Sequence, residues 1–223
     1  MASETLTIDV VSDVVCPWCY LGEKRLQAAL AEESEPVSVR WRPYQLDPTI
    51  PEGGMDRAEY MAKKFGRDGR LQAIHDNLTR LGAEAGIAFD FDRIKRSPNT
   101  LDAHRLIHWS VTESREKQDK VVDALFKANF EQGRNVGDHA VLLDIAEEAG
   151  LDRSVISTLL ASDADRDLII GEIDSAQKIG VNGVPFFIFD QQYAVSGAQT
   201  PDVLAEALRD IAKMKAEARA GMN

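Results

Sequence analysis

The chain has 223 residues, of which 44% are hydrophobic and 28% are charged, and its formal net charge is −11. This composition excludes a largely disordered chain, and the longest strongly apolar run, VPFFIF, is far too short to cross a bilayer. The basic residues are scattered, whereas phosphate contacts need clustered Lys and Arg. We therefore expect no nucleic acid and no membrane as a partner.

The first residues, MASETLTIDV, contain no basic segment followed by an apolar stretch, so no signal peptide is predicted. We expect a cytoplasmic protein. Because glutathione and thioredoxin keep cytoplasmic thiols reduced, a structural disulfide is disfavoured and a reactive cysteine pair is favoured.

Residues 1–55 have the order of a β–α–β unit. Leu6, Ile8 and Val10 repeat with the period of two that is typical of a strand. A helix is predicted to begin at Pro17, since a missing N–H costs nothing in a first helical turn. The segment VSVRWRP predicts a second strand, and this order of elements implies a right-handed parallel crossover.

The rest of the chain divides into two parts. Residues 56–163 show only helical patterns, several of which end in Gly. Residues 164–223 predict a helix, two short strands about a turn at Asp190–Gln192, and a last helix. The sequence therefore predicts an α/β fold in which residues 1–55 and 164–223 form one domain and residues 56–163 form an inserted all-helical domain.

Cys16 and Cys19 are the only cysteines, and they lie at the predicted strand-to-helix turn. Cys16 falls at the helix N-terminus, where the positive end of the helix dipole stabilises a thiolate. Cys19 shares the predicted buried face of Leu26 and Leu30. We expect an accessible nucleophile, Cys16, that attacks a substrate disulfide, and a shielded thiol, Cys19, that resolves the mixed disulfide.

Two other interpretations of the cysteine pair stay open at this point. The thiols could be buried structural side chains. They could also join His104 and His108 in a Cys2His2 metal site, although the separation is far longer than the about 12–15 residues of a zinc finger. We expect no metal.

Four segments in order, CPWCYLG, SPNTLDAHRLIHW, GVNGVPFFIF and YAVSGAQ, resemble the DsbA-like thioredoxin-fold oxidoreductases, and among them the FrnE-like subgroup. The resemblance covers nearly the whole chain and implies a thioredoxin fold with a mixed central sheet. It also implies a cis peptide bond before Pro185, beside the dithiol, which leaves the backbone of Val184 free to pair with an extended substrate.

The resemblance implies further substrate contacts. Pro17 and Trp18, between the cysteines, would contact the substrate, with Trp18 as an apolar lip. Asn99, His104 and Arg105 would border the active-site cleft. The residues themselves leave alternatives open, since Asn99 is also a suitable helix cap and Arg105 could pair with a nearby acid.

Asp13 matches the family pattern in SDVVCPWC. It could shuttle a proton to Cys19, or it could satisfy backbone N–H groups near the turn, which is the interpretation that we favour. Periplasmic DsbA has a histidine between its cysteines, and Trp18 cannot supply that cation. We therefore expect a milder oxidant than DsbA.

The sequence thus predicts a thiol–disulfide oxidoreductase that acts on disulfide-containing proteins or small thiols, with no cofactor except glutathione as a co-substrate. One alternative is a glutathione-dependent isomerase or transferase. The related 2-hydroxychromene-2-carboxylate isomerases and kappa-class glutathione transferases typically carry serine at the position of Cys16, which favours the redox interpretation.

A third hypothesis is a protein-binding module whose cleft binds extended chains. The sequence does not identify the oligomeric state.

Overall fold

The computed structural model describes residues 5–33 and 36–220, so the ends of the predicted outer domain lie outside the described residues. The strands are β1 (Leu6–Ser12), β2 (Val37–Pro43), β3 (Met55–Asp56), β4 (Arg96–Ser97), β5 (Phe186–Phe189) and β6 (Tyr193–Ser196). The helices are α1 (Pro17–Leu30), α2 (Arg57–Phe65), α3 (Arg70–Glu84), α4 (Leu101–Glu113), α5 (Arg115–Phe130), α6 (His139–Glu148), α7 (Arg153–Leu160), α8 (Arg166–Lys178) and α9 (Pro201–Ala220).

A four-stranded mixed sheet has the order β2-β1-β5-β6. Strands β1 and β2 are parallel, which confirms the predicted crossover, whereas β5 is antiparallel to both β1 and β6. The predicted turn is also present, with positive φ angles of 47° at Asp190 and 59° at Gln191. The mixed α/β fold of the sequence prediction is therefore confirmed.

Helices cover both faces of this sheet. Leu26 of α1 and Leu208 of α9 pack with Ile8 and Phe187 on one face. Ala176 of α8 packs with Val11 on the other face. Burial of each large apolar side chain contributes about 1.5–3 kcal/mol to the free energy of unfolding. This packing fixes the position of β1, whose end leads into the cysteine pair.

The N-terminal end of α1 packs into the helical segment. Cys19 and Tyr20 belong to the same buried cluster as Leu106 and Phe126. The rings of Tyr20 and Phe126 stack at 5.2 Å between centroids, and the Tyr20 hydroxyl donates a hydrogen bond of 2.7 Å to Glu131. The cysteine pair therefore lies where the α/β layers meet the insertion, and the division into two domains stays a prediction.

The insertion is not entirely helical, which corrects the sequence prediction. Strand β4 pairs antiparallel with β3, so that Met55 faces Ser97 and Asp56 faces Arg96. Gly54 permits this approach, because a Cβ at this position would lie 2.9 Å from the Ser97 carbonyl oxygen. Two residues are too few to produce a strand period, and the sequence pattern therefore missed the ribbon.

Candidate active site

The cysteine pair lies at the start of α1. Cys16 is the N-cap residue, with φ −94° and ψ 112°, and Pro17 occupies the first helical turn as predicted. Both cysteines are free thiols, and their side chains lie 3.5 Å apart. This separation is short enough for a disulfide to form after a small movement of one side chain.

Cys16 is less accessible than the sequence predicted. The residue is only 4% exposed, because the segment before β5 covers it. Its Sγ donates a hydrogen bond of 3.5 Å to the Val184 carbonyl oxygen. The Val184–Pro185 peptide bond is cis, as the resemblance implied. The side chain is open only towards the cleft that it lines.

Cys19 is deeper than Cys16 and is 1% exposed. Burial raises the pKa of the Cys19 thiol well above its ordinary value, and the neighbouring Cys16 raises it further. The backbone N–H of Asp13 and the hydroxyl of Ser12 oppose this shift through hydrogen bonds to the sulfur. At neutral pH Cys19 is therefore a protonated, shielded thiol.

Gly22 sets the distance between α1 and the segment of the cis peptide. A Cβ at Gly22 would lie 2.9 Å from Pro185 Cγ and 3.3 Å from Phe187 Cζ. A side chain here would push Pro185, and with it Val184, away from the cysteine pair. The glycine of CPWCYLG thus has a packing role that the sequence analysis did not assign.

A cleft of about 340 Å³ opens beside Cys16. Pro17, Trp18 and Val184 form the wall next to the sulfur, in agreement with the predicted apolar lip. The opposite wall comes from the insertion, and its side chains include Arg57, Tyr60, Met61, Lys64, Ile74 and His75. The sequence analysis missed this wall, since its residues lie in α2 and α3, far from the cysteines along the chain.

Positive charge is concentrated on the insertion side of the cleft. Burial lowers the pKa of the Arg57 guanidinium to about 10, so Arg57 stays charged at neutral pH, and among the described residues no carboxylate forms an ion pair with it. Lys64 Nζ donates to the Tyr60 hydroxyl at 3.0 Å. His75 stacks on Phe91 at 4.0 Å, and burial lowers its pKa, with Arg57 adding to the effect. Arg57 is thus a cation and His75 is neutral, while the Asp47 carboxylate, which also lines the cleft, lies near Lys64.

The SPNT segment borders the cleft, although not through Asn99. Ser97, Pro98 and Thr100 line the cleft. The Asn99 amide is occupied within the protein, since Nδ2 donates to the Ile50 carbonyl at 2.6 Å and Oδ1 accepts from the Leu101 N–H at 3.0 Å. The capping alternative therefore describes Asn99 better than substrate contact does.

His104 and Arg105 do not line the cleft either. His104 Nε2 lies 2.9 Å from the Tyr44 carbonyl oxygen. Arg105 is 1% exposed and donates to carbonyl oxygens of the α7–α8 connection, including Ala164 at 2.8 Å. It also forms an ion pair of 2.8 Å with Asp102. Both side chains belong to α4 and are buried, so they bond to other parts of the protein and do not line the cleft. The pairing of Arg105 with a nearby acid, which the sequence analysis left open, is present.

Asp13 is anchored to the backbone. Its Oδ2 accepts a hydrogen bond of 2.8 Å from the Leu46 N–H, and its Oδ1 lies 3.5 Å from the Val15 nitrogen. The carboxylate is 1% exposed. This geometry matches the interpretation in which Asp13 satisfies N–H groups near the turn.

The model of the DsbA-like thioredoxin domain matches residues 7–209. The chain belongs to the DsbA-like thioredoxin family. A probable DsbA oxidoreductase from Streptomyces coelicolor is 33% identical, with a TM-score of 0.83 over 92% of this chain and 89% of that chain. This DsbA-like protein therefore shares its family with oxidoreductases.

Two more distant structures share the fold. A 2-hydroxychromene-2-carboxylate isomerase is 18% identical, with a TM-score of 0.71 over 95% of this chain and 98% of that chain. The cytosolic disulfide reductase DsbM from Pseudomonas aeruginosa, solved with glutathione, is also 18% identical, with a TM-score of 0.62 over 93% of this chain and 99% of that chain.

The predicted alternative of a Cys2His2 site finds no geometric support in the part of the DsbA-like protein that the structure describes. Within those residues, no group of three or more His, Cys, Asp or Glu side chains is arranged to hold a metal ion. His104 is engaged with Tyr44, and His108 lines a different cavity. Among the described helices, none is both long and apolar enough to cross a membrane.

Proposed function

We propose that this DsbA-like protein, as a member of the FrnE-like subgroup, catalyses thiol–disulfide exchange. The observation that carries the proposal is the pairing of two free thiols 3.5 Å apart, of which Cys16 lines a cleft and Cys19 lies buried behind it. Exchange requires this asymmetry, because one sulfur must attack the substrate and the other must react only with the mixed disulfide.

The reaction proceeds in two displacements. The Cys16 thiolate attacks one sulfur of a substrate disulfide, and that S–S bond breaks as the other substrate sulfur leaves as a thiolate. Cys19 then loses its proton to solvent and attacks Cys16, which forms the Cys16–Cys19 disulfide and releases the second substrate thiolate. The protein is oxidised by two electrons and the substrate is reduced by two. Two molecules of a thiol such as glutathione then return the protein to its dithiol form and leave joined as their own disulfide.

The cleft walls suit a disulfide on an extended peptide. Val184 offers a backbone carbonyl beside the nucleophile, which can accept a hydrogen bond from a substrate strand. Trp18, Met61 and Ile74 supply apolar surface for side chains next to the substrate cysteine. We therefore propose disulfide-containing proteins as one class of partner and small disulfides as another.

Single cysteine replacements test the proposal. We expect Cys19→Ser to accumulate a mixed disulfide with substrate, because the resolving thiol is gone, and Cys16→Ser to lose insulin reduction entirely. Mass spectrometry detects the trapped adduct, and circular dichroism verifies that both variants are folded. Equal residual activity in the two variants would contradict the assigned roles.

Arg57 favours glutathione as a small substrate or co-substrate. Its guanidinium lines the cleft and has no carboxylate partner among the described residues, and glutathione carries two carboxylates that such a group binds well. The presence of glutathione in the DsbM structure supports this partner. The same arrangement would serve the second candidate function, a glutathione-dependent isomerase or transferase.

Two measurements separate these candidates. We expect Arg57→Gln to raise the KM for glutathione disulfide about tenfold, as for the loss of one charge-assisted contact, and to leave reduction of neutral hydroxyethyl disulfide unchanged. Arg67→Gln, which removes an exposed charge, is the control. If Cys19→Ala retains full glutathione-dependent turnover, the isomerase or transferase replaces the redox proposal.

The proposed compartment is the cytoplasm. A pool of reduced glutathione there would keep Cys16 and Cys19 as the free thiols that the structure contains. Cell fractionation with thiol labelling tests this location, and recovery of the protein outside the cytoplasm would overturn it.

A further inference from the structure

A second cavity, of about 140 Å³, lies where β1 and β2 meet α4, α5 and α8. We call it the arginine cavity. Its polar and charged lining consists chiefly of Ser12, Arg40, Arg42, His108, Arg115 and Glu172.

The arginine cavity and the cleft lie on opposite sides of the segment that leads into the cysteine pair. Ser12 and Val14 line the arginine cavity, whereas Asp13 and Val15 line the cleft. The chain turns directly after β1, with the Cys16 N–H donating to the Asp13 carbonyl oxygen at 2.9 Å, and the side chains of this turn face two different cavities. The cavity is thus a separate feature that the exchange reaction does not use.

Three guanidinium groups line the arginine cavity. Arg42 is neutralised by Asp9 at 2.9 Å and approaches Glu172 at 3.7 Å. Arg115 donates to the Val39 carbonyl at 2.9 Å rather than to a carboxylate. Among the described residues, Arg40 takes part in none of the ion pairs or side-chain hydrogen bonds.

Carboxylates compensate part of this charge. Glu172 is the one carboxylate among the lining residues, and it is shared with Arg42. Asp119 lies near Arg115, and its carboxylate also accepts the indole N–H of Trp41 at 2.9 Å. Arg40 is therefore the guanidinium of this cavity that has no carboxylate partner among the described residues.

We propose that the arginine cavity binds a small oxyanion, a phosphate or a short carboxylate. Guanidinium groups match the oxygen geometry of both anions and bind them through two parallel hydrogen bonds. The volume is close to the about 150 Å³ of a cavity that admits one benzene-sized molecule. Size therefore excludes a nucleotide or a peptide, while Trp41 and Ile107 offer apolar walls to a short carbon chain.

Calorimetric titration with inorganic phosphate tests the site itself, at constant ionic strength in sodium chloride. Arg40→Gln is the test variant, because Arg40 has no internal partner to lose, and Arg67→Gln removes an exposed charge as the control. We expect stoichiometric binding that Arg40→Gln weakens about tenfold and Arg67→Gln leaves unchanged. The same titration with lactate shows whether the cavity binds a short carboxylate more tightly than phosphate. No binding of either anion, or equal binding by both variants, overturns the proposal.

The same titration on the Cys16→Ser/Cys19→Ser double variant keeps the test independent of redox chemistry. If phosphate binds there but exchange is absent in the native chain, the proposed function fails and the site stands.

Discussion

Cys16 Sγ lies 3.5 Å from the carbonyl oxygen of Val184, a residue 168 positions further along the chain. The sheet produces this approach, because β5 runs antiparallel beside β1 and places the start of one strand next to the end of the other. Under the proposed function, a substrate strand that pairs with the Val184 backbone would place its disulfide beside Cys16. The sheet thus brings a backbone carbonyl from the distant end of the chain next to the Cys16 sulfur.

The raised pKa of Cys19 predicts that the second displacement depends steeply on pH. Only the thiolate attacks a disulfide, and burial keeps Cys19 protonated at neutral pH. Each pH unit below the pKa reduces the thiolate fraction about tenfold. We expect release of a preformed mixed disulfide to accelerate about tenfold per unit between pH 6 and pH 8, as measured by quenched flow.

Constant far-ultraviolet circular dichroism over this range verifies that unfolding does not expose Cys19. Cys19→Ser, in which release requires an external thiol, provides the control. A release rate that is independent of pH would contradict the buried, protonated state of Cys19.

We expect replacement of Trp18 by histidine to change the reduction potential of the cysteine pair. A histidine at this position can carry a positive charge beside the Cys16 thiolate and stabilise the reduced form. We expect the native protein to lie nearer to the about −180 mV of protein disulfide isomerase than to the about −120 mV of DsbA. Trp18→His should be more oxidising by about 30 mV, which corresponds to about 1.4 kcal/mol.

Equilibration with glutathione buffers measures both potentials. Trp18→Phe is the matched control, since it removes the indole without adding a cation, and its potential should stay near the native value. An equal shift in the two variants would assign the effect to lost packing, and a native potential as oxidising as that of DsbA would refute the expectation.

The local part of the site was predictable from the sequence. Pro17 marks the first turn of α1, so Cys16 is the N-cap residue and Cys19 lies one turn further along the helix. The exposure of Cys16 was not predictable, because Val184 covers it from the distant end of the chain.

The opposite wall of the cleft depends on tertiary packing and was therefore missed. Arg57 and His75 lie in helices whose sequence patterns resemble ordinary surface helices, and only the arrangement of α2 and α3 turns them towards Cys16. For Asn99 and Arg105 the family resemblance identified the right segment. Their side chains, however, serve the backbone and Asp102, while their neighbours Ser97 and Pro98 line the cleft.

Arg105 is predicted to support stability rather than substrate binding. Arg105→Leu leaves Asp102 without its buried partner and deprives carbonyls of the α7–α8 connection, such as Ala164 and Ser162, of their donors. We expect the free energy of unfolding to fall by about 2–4 kcal/mol, because buried carbonyl oxygens lose their donors, while Asp102 keeps its contact of 2.8 Å with His139. Urea denaturation measures the change.

Arg209→Leu is the control, because that arginine is 59% exposed at its side chain and only 3.9 Å from Glu33. The loss there should be below about 1 kcal/mol. At a temperature where Arg105→Leu is folded, insulin reduction per folded molecule should match the native rate. Near-native stability with a large loss of activity would instead identify Arg105 as a substrate contact.

The raised pKa of Glu23 predicts how the free energy of unfolding changes with pH. The side chain is buried in α1, one turn after Cys19, and burial raises its pKa to about 7, although Lys24 opposes the shift. The folded chain therefore holds a proton that the unfolded chain releases at a pKa near 4.5. This contribution to stability is complete below pH 4.5 and is lost as the pH rises through 7, and it amounts to about 3 kcal/mol.

Glu23→Gln keeps a neutral side chain at every pH and so removes this loss, while Lys24 retains its ion pair with Asp123. Relative to the native protein, the variant should therefore gain up to about 3 kcal/mol of unfolding free energy between pH 5 and pH 8. Urea denaturation at each pH measures the difference, and Glu148→Gln, which removes an exposed carboxylate, should run parallel to the native protein. If Glu23→Gln also runs parallel, the carboxyl is ionised in the folded state throughout this range, and its burial does not govern the pH dependence.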